Sequence, residues 1–373
     1  MKYSESKYLL DLNSLANFQQ CYIYGTGQTS RKFREFTSRR KKSMRILGYI
    51  DSYRKTSISD EISIFNIKDF TDIDERIIIC SYNEEWIDEI VESLRNRGAE
   101  NFYINMIILD SYFSLSESKY KAFRKKTSYI DGRLATELDR TIWRSVVRAL
   151  RDNNDNQGLF ENYYSHGSQQ YLDLLTINSD DIVIEGGVFD GLTTQRIASK
   201  LGHNGKLYGF DPLIVTHGTG VSRNENICII KKALWNRAVT LYFVNKGAGS
   251  YVSEVREEFL AANSQFEVEG ITIDFFVCAE KLERFDFLKL DVEGAELKVL
   301  HGGMESIKKF RPKLAVSIYH SLNDFFEIPY LLMTELSDYS FHVRLYSGAL
   351  MDTILYALPN EREISEPRRS KIT

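Results

Sequence analysis

The chain alternates short apolar runs with amphipathic stretches of helical period, and it does so in two separate blocks. In the first block, "QCYIYGTGQTSRKFREF" sets the apolar run Cys21 to Tyr24 before Gly25, Thr26 and Gly27, and a helical pattern follows. "RILGYID" reads as a strand ending at Asp51, and "RIIICSY" (Arg76 to Tyr82) as another. "EEWIDEIVESLRNRG" reads as a helix closed by Gly98, and "NFYIN" as a further strand. Strands separated by helices imply crossover connections and a parallel sheet. Residues 1–115 are therefore expected to form a small α/β domain.

Residues 116–178 read as a helical linker or lid. "LATELDRTIWRSVVRALRDN" places Leu138, Ile142, Val146 and Leu150 at four-residue steps, which gives one apolar stripe. "SQQYLDLLTI" reads as another helix. Residues 179–373 hold the second block. "DIVIEGG" is its first strand, "LTTQRIASKLG" the helix after it, and "KLYGFDP" a second strand ending at Asp211. "NICIIKKALW" reads as strand three, "TLYFV" as a short added strand, and "FDFLKLDVEG" as strand four, ending near Asp291. "AELKVLHGGMESIKKF" reads as one helix stopped by Pro312, and "KLAVSIYH" as strand five. "IPYLLMTELSDY" is a helix, and "FHVRLY" with "DTILYAL" a closing hairpin. No repeat of short period interrupts this order.

Composition narrows the picture. A length of 373 residues exceeds what one core usually serves, so two domains are expected. With 43% hydrophobic and 27% charged residues the chain is globular, and its scarcity of proline argues against long disordered regions. A net charge of −4 leaves no electrostatic footprint for nucleic acid. The basic runs Arg39, Arg40, Lys41, Lys42 and Arg368, Arg369 read as solvated faces or a tail. No apolar run is long enough to span a bilayer, and the N-terminus lacks an apolar signal core, so a cytoplasmic location is expected. Cys21, Cys80, Cys228 and Cys278 form no CxxC pair; buried free thiols are expected.

The candidate chemistry lies at the strand ends. In an open parallel sheet, ligands bind outside the carboxyl ends of strands at the switch point. Glu185 ends the first strand of the second block, and Gly186, Gly187 and Gly191 follow. Asp211 ends the next strand, where a carboxylate can accept hydrogen bonds from vicinal ribose hydroxyls. The unit is therefore shaped for an adenosine ligand. A dinucleotide fingerprint would be G-x-G-x-x-G, whereas here the spacing is acid-x-Gly-x-x-x-Gly. A carboxylate before the glycines repels pyrophosphate and suits an ammonium and a sulfonium, which favours S-adenosylmethionine. A glycine turn that serves packing alone is the plain alternative.

"FLKLDVEGAELKVLHGG" (Phe287 to Gly303), with "EGGVFDG" and "GFDP", resembles the FkbM family of S-adenosylmethionine-dependent O-methyltransferases. Lys289, Asp291, Val292, Glu293, Gly294, Ala295, Glu296, Val299, Leu300 and Gly302 carry the likeness, and it extends over roughly Ser128 to Leu358. Glu185 stands where that family often has Asp, and "ITIDFFVCAEKLERF" departs from the usual segment before strand four. The resemblance implies a class I, Rossmann-like methyltransferase fold: a seven-stranded, mostly parallel sheet, preceded here by the smaller Rossmann-like domain and the helical linker. It further implies that Glu185, Gly186, Gly187, Asp190 and Gly191 surround the methionine end of the cofactor. Asp211 and Pro212 would meet the ribose, and Ala233 and Leu234 the adenine.

Asp291 and Glu293 are two residues apart, so on an extended strand they point the same way. With His320, at the end of "SIYH", they are the catalytic candidates. They could bind the acceptor, act as base, or hold a divalent ion. Their spacing defines no ligand set, so no metal is expected. A turn carboxylate and a satisfied structural histidine are the plain alternatives. Glu296 stands in a first helical turn, where capping explains it as well as function does. "YIYGTGQTSRKF" with "GYIDS" resembles the Rossmann-like modules attached to nucleotide-sugar and glycan-modifying enzymes. Gly25 and Gly27 fit the first two glycine positions, Ser30 stands at the third, and Asp51 ends the second strand. A nucleotide site there competes with a docking or dimerisation role, and homo-oligomers stay open. The expected activity is methyl transfer to a hydroxyl of a sugar, in a bacterial surface glycan or its nucleotide-sugar precursor. The alternatives are a lipid or natural-product acceptor, a non-catalytic nucleotide sensor or scaffold, and an NAD-dependent sugar enzyme. The last of these lacks a Tyr-x-x-x-Lys pair after the first domain's strands.

Overall fold

The computed structural model describes residues 9–10, 15–40, 44–59, 62–81, 84–105, 115–151, 170–213, 224–244, 250–255, 265–346 and 352–362. Tyr82, Lys41, Lys42, Ser168, Gln169, Arg368 and Arg369 lie outside the described residues. The chain divides into two compact units. One comprises Met1–Arg124, Thr141–Gly167 and Leu345–Met351; the other comprises Lys125–Arg140, Ser168–Arg344 and Asp352–Thr373.

In the first unit, strands β1 (Leu9–Leu10), β2 (Gln20–Tyr24), β3 (Arg45–Asp51), β4 (Ser57–Ser59), β5 (Ile62–Asn66), β6 (Ile77–Ile79) and β7 (Phe102–Asn105) form one sheet. Its order is β1-β7-β6-β2-β3-β5-β4, and its pairs are parallel apart from β4 with β5. Alternate side chains of β2 go to opposite faces. Cys21 and Ile23 join one apolar cluster with Phe33 of helix α1 (Gln28–Arg40). Tyr22 and Tyr24 join another with Ile87, Val91 and Leu94 of α2 (Glu84–Asn96). Both faces of the sheet are covered, as parallel sheets require.

Helices α3 (Glu117–Arg133) and α4 (Glu137–Arg151) follow. In α4, Ile142, Val146 and Leu150 are buried as the four-residue steps predict, but Leu138 is 38% exposed. Among its described residues, "SQQYLDLLTI" does not form the expected helix: Gln170 to Leu174 is a turn, with Tyr171 at φ 69°.

The second unit holds β8 (Ile182–Gly186), α5 (Leu192–Ala198), β9 (Lys206–Phe210), β10 (Ile227–Ile230), β11 (Ala233–Leu234), β12 (Val239–Val244), β13 (Tyr251–Ser253), β14 (Gln265–Ile271) and α6 (Ile273–Ala279). It continues with β15 (Phe287–Leu290), α7 (Glu296–His301), α8 (Met304–Phe310), β16 (Lys313–Ser317), α9 (Leu322–Glu335), β17 (Tyr339–Leu345) and β18 (Thr353–Pro359). Seven strands form the main sheet in the order β10-β9-β8-β15-β16-β18-β17. Four successive pairs are parallel, and β16 with β18 is antiparallel. This is the seven-stranded, mostly parallel sheet that the resemblance implies. Chain order reverses beside β8, so the switch point lies between β8 and β15.

Three details differ from the sequence reading. "NICIIKKALW" breaks at Lys231 and Lys232, and Ala233 with Leu234 pairs with β14 in a separate four-stranded sheet of order β11-β14-β12-β13. "AELKVLHGGMESIKKF" forms two helices that meet at Gly302 and Gly303, and Gly302 lies against a neighbouring backbone: a Cβ there would stand 2.2 Å from the Trp235 carbonyl oxygen. Helix α6 forms in "ITIDFFVCA", capped by the Thr272 hydroxyl on the Phe275 amide, and it leaves Cys278 exposed rather than buried. All four cysteines are free thiols.

Candidate active site

The glycine turn after β8 is held from beneath by β15. Register pairs Glu185 with Lys289 and Gly186 with Leu290. The Asp291 amide continues the ladder by donating to the Gly186 carbonyl at 3.0 Å. Gly187 follows at φ 81°, and a Cβ on it would lie 1.8 Å from the Asp291 carbonyl oxygen. Only glycine fits there, and what comes close to it is the end of the neighbouring strand.

Glu185 does not present its carboxylate to solvent. It is 0% exposed, accepts from the Thr194 hydroxyl at 2.7 Å and lies 3.3 Å from the Lys289 ammonium. Burial raises its pKa, against the opposing pull of Lys289 and Thr194. Lys289 also donates to the Gly187 carbonyl. Glu185 therefore fixes the turn through Lys289, where the sequence reading had it facing a ligand.

Asp211 serves the same turn. One oxygen accepts from the Val188 amide at 3.0 Å and the Phe189 amide at 2.8 Å, and the other accepts from the Leu213 amide at 2.8 Å. Phe189 is held at φ 50° with its ring half exposed. Asp190 accepts from the Leu192 amide at 3.0 Å, and Gly191, at φ 78°, is the N-cap of α5. Pro212 is half-buried beside Asp211. Ala233 and Leu234 are buried, and Leu234 reaches Gly186: a Cβ on that glycine would lie 3.3 Å from Leu234 Cδ1. Apart from Ala233, which pairs with Gly270, the residues expected around the cofactor thus cluster at the carboxyl ends of β8 and β9 or against Gly186.

The catalytic candidates also meet. His320 Nε2 lies 3.5 Å from Asp291 Oδ1 and 3.6 Å from Glu293 Oε2, and its Nδ1 lies 3.0 Å from Glu296 Oε1. Asp291 accepts from the Tyr171 hydroxyl at 2.9 Å and the Tyr319 hydroxyl at 3.3 Å. Glu296 is fully buried and ties down the loop before its helix, accepting from the Val292 amide at 2.7 Å and the Gly294 amide at 3.1 Å. The contact with His320 is realised, whereas the helix has Ala295 as its N-cap and no side-chain cap. Tyr171 and Tyr319 escaped the sequence reading. Tyr171 comes from a segment read as helix, 120 positions before Asp291, and no local pattern marks it.

Charge separates the three candidates. Burial alone would lower the His320 pKa, but Glu296, Asp291 and Glu293 outweigh it and lift it to about 10. Burial alone would raise Asp291, yet Lys289, His320 and the hydroxyls of Ser317 and Tyr171 bring it below the usual carboxylate value. Glu293 lacks such donors. Burial, with the charges of Asp291, Glu296 and Asp352 added, overcomes the pull of His320 and lifts it to about 7. Glu293 also sits at φ 52°, an uncommon conformation for a residue with a side chain. One ligand atom each from Asp291, Glu296 and His320 lies within 4.8 Å of the others, a spacing that a divalent ion could use. A proton and an ion compete for the same imidazole nitrogens.

Residues 186–346 match the model of the methyltransferase FkbM domain. Those residues form an FkbM methyltransferase domain. Its class uses S-adenosylmethionine as methyl donor. Among solved structures, the chain is similar to a methyltransferase FkbM from Methylobacillus flagellatus KT. The identity is 16% over 91% of this chain and 90% of that one, at a TM-score of 0.62, a likeness of fold. A weaker likeness links it to fibrillarin from Aeropyrum pernix with natively bound S-adenosyl-L-methionine. There the identity is 15% over 52% of this chain and 72% of that one, at a TM-score of 0.32. No curated protein matches the sequence significantly. Among the described residues, no helix is long and apolar enough to cross a membrane.

In the first unit, Gly25 turns at φ 105° and donates to the Ile50 carbonyl at 2.8 Å. Nothing lies within 4 Å of where a Cβ on Gly27 would stand. Ser30, at the third glycine position, is buried, and its hydroxyl oxygen lies 3.1 Å from where a Cβ on Gly25 would stand. Asp51 accepts from the Thr26 hydroxyl at 2.6 Å and from the amides of Tyr53 and Arg54 at 2.9 and 3.0 Å.

Proposed function

We propose that the FkbM domain methylates a hydroxyl oxygen of a sugar, in a cytoplasmic step of bacterial surface-glycan assembly. The observation that carries the reading is Glu293, a carboxyl that titrates near neutrality beside an ionised Asp291 and a protonated His320. A base matched to the working pH is what removal of a hydroxyl proton needs.

S-adenosylmethionine fits these residues by charge. The carboxylates of Asp190, Asp211, Asp291 and Glu293 stand at or just after the carboxyl ends of β8, β9 and β15. A cationic ligand is favoured there and a pyrophosphate is not. In this reading Gly186, Gly187, Asp190 and Gly191 line the methionine end. Asp211 and Pro212 stand at the ribose, and Ala233 and Leu234 at the adenine. Glu185 acts indirectly, by holding Lys289 on the turn. When bound, the cofactor supplies an electrophilic methyl group on sulfur.

The chain's own residues do the rest. Asp291, fixed by Tyr171 and Tyr319, accepts a hydrogen bond from a neighbouring acceptor hydroxyl and orients it. Glu293 takes the proton of the reacting hydroxyl at its free carboxylate oxygen. His320 stays protonated and balances the charge that the proton transfer leaves on the carboxylates. His320 therefore does not serve as the base in this reading, and no metal is assigned to it. The sugar class rests on the first unit's resemblance to modules of nucleotide-sugar enzymes.

Calorimetric titration with S-adenosylmethionine and S-adenosylhomocysteine tests the cofactor, and transfer of a labelled methyl group to a panel of sugars tests the acceptor. Binding that Asp211→Ala weakens, followed by labelled methyl ether, supports the reading. A folded protein that binds neither cofactor form, with the acceptor panel present, would overturn it.

A further inference from the structure

A cavity of about 490 Å³ lies in the first unit, and none of its lining residues is assigned above to methyl transfer. Its walls include Thr26, Arg31, Arg34, Glu35, Tyr49 and Arg54. Three guanidinium groups face one carboxylate, so its lining is net positive. Arg31 and Arg34 stand three apart on α1 and share a face of that helix. The first turn of α1 carries no acidic residue.

Arg54 comes from the loop after β3, and Asp51 is what sets it. The Asp51 carboxylate takes the Arg54 and Tyr53 amides on one oxygen and the Thr26 hydroxyl on the other. Burial alone would raise its pKa, but these bonds and the Arg54 charge lower it, so it stays ionised and engaged. Asp51, a candidate of the expected nucleotide site, is therefore a positioning residue that ties two walls of the cavity together. Tyr49, buried on β3, gives the cavity an apolar side.

Guanidinium groups recognise phosphate through paired N–H donors in a planar fork. A bare phosphate would leave most of this volume empty, because it falls in the range of small-molecule sites, about 300–1,000 Å³. We propose that this cavity binds a nucleoside diphosphate or its ester, with the phosphates on Arg31, Arg34 and Arg54 and the organic part along Tyr49. The inference concerns the first unit only and stands apart from the methyltransferase reading.

The test is calorimetry on the full chain at low salt with uridine diphosphate, adenosine diphosphate, pyrophosphate and inorganic phosphate. A nucleoside diphosphate is expected to bind at least about tenfold more tightly than pyrophosphate. The Arg34→Gln and Arg31→Gln/Arg54→Gln variants are expected to weaken it by about tenfold or more. Circular dichroism and S-adenosylhomocysteine affinity, expected within about twofold of the parent, check that these surface changes leave the fold intact. Equal affinity for pyrophosphate would overturn the nucleoside assignment. Failure of both nucleoside diphosphates to bind, or binding that the arginine variants leave unchanged, would overturn the site.

Discussion

Lys289 and Glu185 are register partners on adjacent parallel strands, and their side chains form an ion pair of 3.3 Å with almost no exposure. The same ammonium reaches the Gly187 carbonyl, so one lysine joins strand β15 to the turn that follows β8. Removing one member of a buried pair leaves an uncompensated charge, which costs about 3–5 kcal/mol. Lys289→Met is expected to lower stability by that amount in urea denaturation. Lys289→Met/Glu185→Leu should recover most of it, yet still bind S-adenosylhomocysteine about tenfold more weakly, because the turn loses its tether. Recovery of both stability and affinity in the double variant would show that the pair does not act on the turn.

Glu293 should give the pH profile its acid limb. With a folded pKa near 7 it carries the proton below that value and is a free base above it. The rate with saturating cofactor is expected to rise through about pH 7. Glu293→Gln should lower kcat by about 100-fold or more and remove that limb, with the cofactor affinity little changed. An unaltered profile in Glu293→Gln would assign the limb to another group.

His320 titrates in the opposite direction. Its folded pKa, near 10, lies above the unfolded value of 6.5. The stability it contributes is fully present below about pH 6.5 and is lost as pH rises towards 10. Its imidazole is expected to remain protonated at pH 8 by nuclear magnetic resonance. A midpoint near 6.5 would mean that the surrounding carboxylates do not hold it charged.

Asp139 ties the start of α4 to β17. It accepts from the Thr136 amide and hydroxyl, pairs with Arg344, and lies 3.0 Å from His342 Nδ1. Burial alone would raise its pKa, but His342, Arg344 and Thr136 outweigh it and bring it to about 2, below the ordinary 3.8. Its contribution is complete above pH 3.8 and is lost as pH falls towards 2. Asp139→Ala should cost about 3–5 kcal/mol at neutral pH, since it strands a buried arginine. The parent is expected to lose stability between about pH 4 and 2 in acid unfolding, and the variant should lack that step.

Asp211→Asn tests the clamp on Val188 and Phe189. Hydrogen bonds to a charged acceptor contribute about 1.5–3 kcal/mol each, and the amide retains only a neutral acceptor. Cofactor affinity is expected to fall about tenfold, and amide exchange at Val188 and Phe189 to quicken. Unchanged exchange at both positions would separate Asp211 from the turn.

Local pattern was enough for the strands that end at Asp51 and Gly186, for the amphipathic helices, and for the phrase around Asp291, because apolar period and glycine placement are properties of neighbouring residues. Period 2 and period 3.6 say which face is buried, and strand ends say where a ligand crevice opens. The partners across that crevice were beyond reach. Tyr171 meets Asp291 only because a turn replaces an expected helix. Glu185 reads as a ligand acid in the sequence and becomes a buried support, because register sets Lys289 beside it. Whether His320 is base or cation depends on three carboxylates brought within 3.6 Å, and proton affinity is a property of that assembled field rather than of any stretch of chain.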